Sequence, residues 1–299
     1  MRLGIVIVTF ECREFALACL QSITEHLPGV LGDTVVVDNA SHDGTAAATR
    51  ERFPKVSVIE KDRNAGFAAA ANTGMRALGN CDILCLLNPD AELLDTGLLD
   101  AARYLDEHPS LAVGGCRVEN ADGSVQASCR AFPGHRTALF NRHSLATKFL
   151  PGNRWSQDYL MTSWPHDEIR DVDWVSGACM LIHGRAIERF GYLDPHYFFS
   201  IEDVDYCRRA HDAGFGVIYY PMARVRHLVG KSSKHNALTA MAAHHRGMWR
   251  YYRKHMRGNA AMDSLTAAGI GARLGLHAGS YALRLASRRL RNPKRLRDA

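Results

Sequence analysis

No apolar run in the sequence approaches the roughly 20 residues a helix needs to cross a bilayer. The first ten residues, Met1 to Phe10, carry one Arg and a short apolar stretch that stops at Thr9, without the length or cleavage region of a signal peptide. These absences read as a protein made and kept in the cytoplasm. No C-x-x-C pair occurs, which removes the usual signature of a structural zinc site. The eight cysteines (Cys12, Cys19, Cys81, Cys85, Cys116, Cys129, Cys179 and Cys207) are scattered among apolar neighbours. They read as small buried hydrophobes in a reducing compartment, not as a disulfide framework. No G-x-G-x-x-G follows the first apolar run and no G-x-x-x-x-G-K is present, so dehydrogenase and P-loop readings lose their main support.

What remains is an ordinary globular composition, 46% hydrophobic and 23% charged, over 299 residues, enough for one large domain and an appendage. The net charge of +6 is unevenly spread. From Arg246 to Ala299 there are 13 Lys and Arg against Asp263 and Asp298, a net of +11, which leaves residues 1–245 at −5. The expected division is therefore 1–235 for the body and 236–299 for a basic helical tail.

The first hundred residues alternate strand and helix. Leu3 to Thr9, Thr34 to Val37, Val56 to Ile59 and Ile83 to Leu87 are short apolar runs of the kind buried on both faces of a parallel sheet. Between them, Phe15 to Leu27, the segment from Gly44, and Ala68 to Leu78 have helical spacing. Right-handed crossovers make this an α/β, doubly wound, mostly parallel sheet flanked by helices, in which ligands gather at the carboxyl ends of the strands. Further on, Asp122-Gly123 marks a tight turn, Pro133-Gly134 and Pro151-Gly152 mark loops, and Val172 to Ile182 resumes strand character. Asp203 to Ala213 is expected as a helix, Gly216 to Tyr220 and Ala223 to His227 as two strands, and the chain from Asn236 as helical.

Polar clusters stand directly behind the early strands: Thr9 to Glu11, Asp38-Asn39, the Asn64 loop and Asn88-Pro89-Asp90. Residues two apart in an extended segment point the same way, so Asn88 and Asp90 face one ligand together, as suits a hard divalent cation held mostly by a nucleotide's phosphates. A simple Asn-Pro-Asp turn is the competing explanation. Asp38 is placed to accept hydrogen bonds from a base or ribose, whereas Ser41 or Asp43 suits a helix cap. Gly66, in Asn64-Ala65-Gly66-Phe67, permits close backbone approach at a helix start that attracts phosphate. Glu202-Asp203-Val204-Asp205 crowds three carboxylates behind Tyr197-Phe198-Phe199; such crowding costs stability unless a cation or a reaction uses them. Asp205 fits a charged helix start and Asp203 a general base. His227, at a strand end, becomes a third metal ligand if its strand lies beside the Asn88-Asp90 turn, and an imidazole among oxygens tilts the metal toward Mn²⁺ over Mg²⁺.

In order along the chain, Val6-Ile7-Val8-Thr9-Phe10, Val37-Asp38-Asn39-Ala40-Ser41, Asn64-Ala65-Gly66-Phe67-Ala68, Asn88-Pro89-Asp90, Ser176-Gly177-Ala178 and Phe198-Phe199-Ser200-Ile201-Glu202-Asp203 resemble the blocks of inverting nucleotide-sugar glycosyltransferases of family 2, which have the GT-A fold. The resemblance covers about residues 3–235. It implies that Thr9 and Asp38 contact the nucleoside and that the Asn64–Gly66 loop contacts the base or phosphates. Asp90, the second acid of the family's D-x-D motif, would bind a divalent cation, Mn²⁺ or Mg²⁺, with His227. Asp203 would be the catalytic base, with Glu202 and Trp174 supporting it or standing on the acceptor side. Two departures matter: Asn88 replaces the first acid of D-x-D, and Glu11-Cys12 stands where many members have one Asn, so Glu11 enters the nucleotide-sugar set beside Asn88. The Asn-Pro-Asp variant and Ala243-His244-His245 are similar to bacterial rhamnosyltransferases of cell-wall and O-antigen assembly. That similarity implies a dTDP-L-rhamnose donor and a lipid-linked saccharide acceptor.

In the tail, Trp249, Tyr251, Tyr252 and Met256 interleave with Arg250, Arg253, Lys254 and Arg257, and Leu276, Leu283 and Leu290 repeat every seven residues beside Arg273, Arg284, Arg288, Arg289 and Arg291. A basic amphipathic helix suits an anionic membrane surface, which places the protein at the inner face of the cell membrane. Packing on the catalytic domain and homo-oligomerisation compete with that reading, and no motif supports nucleic acid. Three alternatives to the rhamnosyltransferase stand: a transferase using another UDP- or dTDP-sugar, a pyrophosphorylase, and a non-catalytic sugar-nucleotide binding protein. The pyrophosphorylase needs a glycine-rich basic loop where Thr9-Phe10-Glu11-Cys12 stands.

Overall fold

The computed structural model describes residues 1–134, 154–161, 164–228 and 237–291, and residue contacts divide the chain into two units, Met1–His235 and Asn236–Ala299. The expected Pro151-Gly152 loop and the side chains of Arg288, Arg289, Leu290 and Arg291 lie outside the described residues.

In the first unit the opening alternation is β1 (Leu3–Thr9), α1 (Arg13–His26), β2 (Thr34–Asp38), α2 (Thr45–Arg52), β3 (Ser57–Glu60), α3 (Phe67–Leu78) and β4 (Ile83–Leu87). Every residue of β1, β2 and β4 is buried, as continuous apolar strands covered on both faces require. They pair in parallel in the order β3-β2-β1-β4. Helix α1 turns Ala16, Cys19, Leu20 and Ile23 inward, the three-and-four spacing of one helical face.

Beyond β4 the sheet becomes mixed. After β5 (Ala91–Leu93) and α4 (Gly97–Glu107) come β6 (Leu111–Glu119) and the short β7 (Cys129–Arg130), then α5 (Arg154–Leu160), β8 (Arg170–Asp171) and β9 (Trp174–Val175). The unit closes with β10 (Cys179–His183), α6 (Gly184–Phe190), α7 (Glu202–Asp212) and β11 (Gly216–His227). Strand β10 runs antiparallel between β4 and β6, and β11 lies parallel to β6 and antiparallel to β5. The order is β3-β2-β1-β4-β10-β6-β11-β5, with β8 on β11, while β7 and β9 form a separate ribbon. Among the described residues four of the main sheet's eight pairings are parallel, so it is more mixed than the first hundred residues suggest.

Three differences from the sequence reading have local causes. The stretch between Leu87 and Arg117 holds β5, α4 and the start of β6, although Leu98, Ala101, Ala102 and Leu105 show the buried helical face plainly. The expected pair of strands around Pro221 is one strand, β11, because a register shift between Tyr220 and Arg224 absorbs the residue that lacks an N–H. The run Val172 to Ile182 divides into β9 and β10 because Ser176 turns its amide away to Ser128 O at 2.7 Å. All eight cysteines are buried and unbridged.

The second unit is two helices, α8 (Ala237–His255) and α9 (Ala260–Arg291). Tyr251 and Tyr252 are buried, and the Tyr252 hydroxyl donates to Asp263 at 2.8 Å. They are thus unavailable to a membrane, which corrects the interleaved aromatic surface expected of α8. Helix α9 instead exposes Met262, Leu265 (69%), Leu276 (72%) and Leu283 (73%). No helix among the described residues is long and apolar enough to cross a membrane.

Candidate functional site

The polar clusters after β1, β2, β4 and β11 meet at the carboxyl end of the sheet. Thr9 is 0% exposed and its hydroxyl donates to Asp38 Oδ1 at 2.8 Å. That bond holds Asp38, the neighbouring residue expected at the nucleoside. The Asp38 carboxylate also accepts from Ser41 Oγ at 2.5 Å and from the Ser41 amide at 3.1 Å. Glu11 is likewise committed: Oε1 accepts the His42 amide at 3.0 Å, and its own amide donates to Ser41 Oγ at 3.0 Å. Glu11 thus braces the first loop against the second and does not present a free carboxylate to a base.

Asn39, which the sequence placed in the polar cluster after β2 without a role of its own, ties the second loop to the third. Its Nδ2 donates to Asn64 Oδ1 at 2.9 Å and its Oδ1 accepts the Ala65 amide at 3.0 Å. Gly66 has φ +85°, and a Cβ there would lie 2.6 Å from Phe198 O. The adjacent Phe67 amide donates to that same carbonyl at 2.8 Å. Only glycine fits where the Asn64 loop lies against the segment leading to Glu202 and Asp203.

After β4, the Asn88-Pro89-Asp90 turn lies beside the end of β11, where His227 pairs with Ala91 and the Leu228 amide donates to Asp90 O at 2.9 Å. Asp90 is buried, with Oδ1 3.2 Å from His227 Nε2, and Asn88 Nδ2 is 3.4 Å from the same nitrogen. No set of three or more His, Cys, Asp or Glu fit to hold a metal exists among the described residues. One carboxylate and one imidazole converging on a point is nevertheless an apt donor set for a divalent cation that takes its other ligands from phosphate and water. On the far side of the ring, Gln126 Oε1 lies 3.2 Å from His227 Nδ1.

The three acids at the start of α7 occupy unlike surroundings. Asp205 is fully buried, 2.9 Å from Arg209 Nε, and accepts from Tyr197 OH at 3.2 Å. It is a structural ion pair. Asp203 is partly exposed and accepts the Gly177 amide at 3.0 Å on Oδ2 and the Val204 amide at 2.8 Å on Oδ1. Burial raises its proton affinity above the ordinary carboxylate value, opposed by those amides and by the charge of Arg130. Glu202 is buried, and its Oε2 has no hydrogen-bond partner among the described residues. Burial first, then the charges of Asp203 and Asp205, pushes it well above the ordinary range. The two acids differ in what stabilises their charge: Glu202 Oε2 has no hydrogen-bond partner among the described residues, whereas Asp203 accepts two backbone amides.

Two hydrogen bonds join this acid to the Asn88–Asp90 turn. The Asn88 amide donates to Ala178 O at 3.0 Å, and the amide of the preceding Gly177 donates to Asp203. Trp174 is buried, and its indole N–H donates to Ala131 O at 2.9 Å. It supports the ribbon under Arg130, whose guanidinium stands 5.5 Å from the ring centre. Strain gathers in the same loops: of the six described non-glycine residues with positive φ, Glu11, Ala40, Ser200 and Ile201 flank the site. For a β-branched residue such as Ile201 that conformation is costly and persists only where its surroundings enforce it.

Comparison with known proteins agrees with this layout. The family model described as "Glycosyltransferase like family 2" matches residues 2–253. The N-acetylglucosaminyl-diphospho-decaprenol L-rhamnosyltransferase of Mycobacterium tuberculosis is 32% identical over 247 residues, 78% of this chain and 77% of its own. The mannosyltransferase PcManGT of Pyrobaculum calidifontis, solved with GDP-Man and Mn²⁺, superposes with a TM-score of 0.57 at 18% identity over 99% of this chain and 82% of that one. GalNAc-T7, solved with UDP, GalNAc and Mn²⁺, gives 0.56 at 14% identity over 76% and 43%. At these identities the two structures speak for the fold alone, which is GT-A.

Proposed function

The chain belongs to glycosyltransferase-like family 2, and on that premise we propose that this GT-A glycosyltransferase moves L-rhamnose from dTDP-L-rhamnose to a saccharide carried on a polyprenyl diphosphate, inverting the anomeric centre. The rhamnosyl group and the lipid-linked acceptor are suggested by the mycobacterial relative, an N-acetylglucosaminyl-diphospho-decaprenol L-rhamnosyltransferase, dTDP as the carrier is suggested by the resemblance of the motifs, and both fit bacterial cell-wall or surface polysaccharide assembly.

The observation that carries the chemistry is the partly exposed Asp203 carboxylate, held by the Gly177 and Val204 amides and tied through Gly177-Ala178 to the Asn88–Asp90 turn. Each Asp203 oxygen spends one lone pair on an amide and keeps another. One of these takes the proton from the acceptor hydroxyl as that oxygen attacks the anomeric carbon and the bond to the diphosphate breaks. A single in-line displacement leaves the sugar inverted. A divalent cation, Mn²⁺ or Mg²⁺, held by Asp90 and His227 supplies Lewis-acid stabilisation of the departing diphosphate when bound. Asp38 and the Asn64–Gly66 loop receive the nucleoside and phosphates, with Asn88 beside them; Thr9, Glu11 and Asn39 hold those loops in place. The apolar seam of α9 and the basic residues around its end seat the protein on the anionic cytoplasmic face of the membrane, where a lipid-linked acceptor is found.

The test is a panel of dTDP-, UDP- and GDP-sugars, with and without Mn²⁺, read by thermal stabilisation and by transfer to a polyprenyl-diphosphate-linked N-acetylglucosamine. dTDP-rhamnose with metal is expected to stabilise the protein most and to yield a rhamnosylated lipid. A preference for UDP-sugars removes the rhamnose assignment and leaves the transferase.

A further inference from the structure

Gln126 lies three residues past the Asp122-Gly123 turn, whose hairpin returns the chain along β6. Its amide donates to Val118 O at 2.8 Å, which fixes the backbone beside the end of β11. The side-chain orientation is fixed as well: Nε2 donates to the carbonyls of His227 at 2.7 Å and Glu119 at 3.3 Å. Turned over, the side chain would set an oxygen against two carbonyl oxygens. Its Oε1 is therefore the atom that faces His227 Nδ1 at 3.2 Å, and an acceptor there requires Nδ1 to carry the hydrogen. With the ring neutral, the other nitrogen turns its lone pair toward Asp90 Oδ1, 3.2 Å away, with Asn88 Nδ2 3.4 Å from that same nitrogen. A proton or a metal ion held between the nitrogen and the carboxylate satisfies both.

We propose that Gln126 is a positioning residue of the metal site: it locks the His227 imidazole as the Nδ1–H tautomer and so aims the Nε2 lone pair at the point that Asp90 also addresses. This rests on the reading of Asp90 and His227 as metal ligands. The hydrogen-bonded partner behind a metal-bound histidine fixes its tautomer and ring orientation, and losing such a partner typically costs about 10- to 100-fold in metal affinity.

Two measurements on the full chain separate the proposal from its premise. In ¹⁵N-histidine-labelled, metal-free protein, the His227 resonances, assigned by their loss in His227→Ala, are expected to report the Nδ1–H tautomer; an Nε2–H tautomer overturns the proposal without any Gln126 variant. Mn²⁺ binding in the presence of dTDP, followed by the electron paramagnetic resonance of free Mn²⁺, is expected to weaken at least about tenfold in Gln126→Met. Gln126→Met binding Mn²⁺ as tightly as wild type refutes the proposal. If Asp90→Asn binds as tightly as wild type, the metal site itself is misassigned, and the tautomer measurement still decides whether Gln126 sets the ring.

Discussion

Replacing Glu202 by Gln is expected to stabilise the protein at neutral pH while leaving transfer nearly intact. Glu202 is 7% exposed, Oε2 lacks a hydrogen bond among the described residues, and Asp203 and Asp205 stand beside it. Its carboxyl is held well above the ordinary value, chiefly by burial and next by the Asp203 charge. A group raised in the folded state contributes stability fully below its unfolded value, near 4.5, and loses it as pH rises through the folded value. Wild type should therefore lose stability with rising pH through that window by an amount that the Gln variant does not. Each unit by which the folded protein raises the acid is worth about 1.4 kcal/mol, equivalent to roughly 3–5 °C in Tm for a domain of this size. The assay is thermal unfolding of both proteins from pH 4 to 8. The curves should converge at the acid end and separate as pH rises, with the variant the more stable. Because Asp203 and not Glu202 is the proposed base, rhamnosyl transfer by the variant should stay within about fivefold at pH 7. A variant less stable than wild type at pH 8, or melting curves that run parallel throughout, would refute a buried Glu202 carboxyl raised above its ordinary value.

Other substitutions probe separate parts of the account. Asp90→Asn should abolish the extra thermal stabilisation that Mn²⁺ gives in the presence of dTDP, an effect of about 2.7 kcal/mol at a hundredfold excess over Kd in wild type; an undiminished shift removes Asp90 from the metal site. Gly66→Ala forces a Cβ to within 2.6 Å of Phe198 O at φ +85°, so a loss of about 1–3 kcal/mol is expected, with weaker dTDP binding by calorimetry. Neutral behaviour there would show the two loops to be loosely joined. Leu265→Ser, Leu276→Ser and Leu283→Ser together should lower binding to anionic vesicles by at least about a hundredfold in a flotation assay, because each removes an exposed leucine whose full burial is worth about 1.5–3 kcal/mol. Unchanged flotation, or a wild-type dimer that the triple variant dissolves, assigns the seam to a second copy of the chain.

The parallel half of the sheet was legible because β1, β2 and β4 are continuous apolar runs whose burial leaves no alternation to misread. The mixed half was less so. Strand β10 reaches its place between β4 and β6 through a long-range antiparallel insertion that no local pattern encodes, and Pro221 disguised one strand as two. At the site, residue chemistry pointed to Asp38, Asp90, Asp203 and His227, but it could not tell ligand-facing groups from their supports. Thr9 stands in a recognisable block and Trp174 just before one, and only the structure shows that each is buried and hydrogen-bonded to a neighbour. Gln126 went unnoticed and Asn39 was given no role of its own, because their importance lies in partners about 100 and 25 residues away. For Gln126 the available hint was the Asp122-Gly123 turn, which folds it back along β6.

The account stands or falls on Asp203 as the group that takes the acceptor's proton. Single-turnover transfer by Asp203→Asn, with dTDP-rhamnose, Mn²⁺ and lipid-linked acceptor all saturating, is the most direct measurement. A fall of about 10²- to 10⁴-fold in rate is predicted, about 3–5 kcal/mol of barrier, with dTDP affinity unchanged and Tm somewhat lowered, because the new NH2 meets one of the two amides that Asp203 accepts. A variant that transfers the sugar within a few-fold of wild type contradicts it.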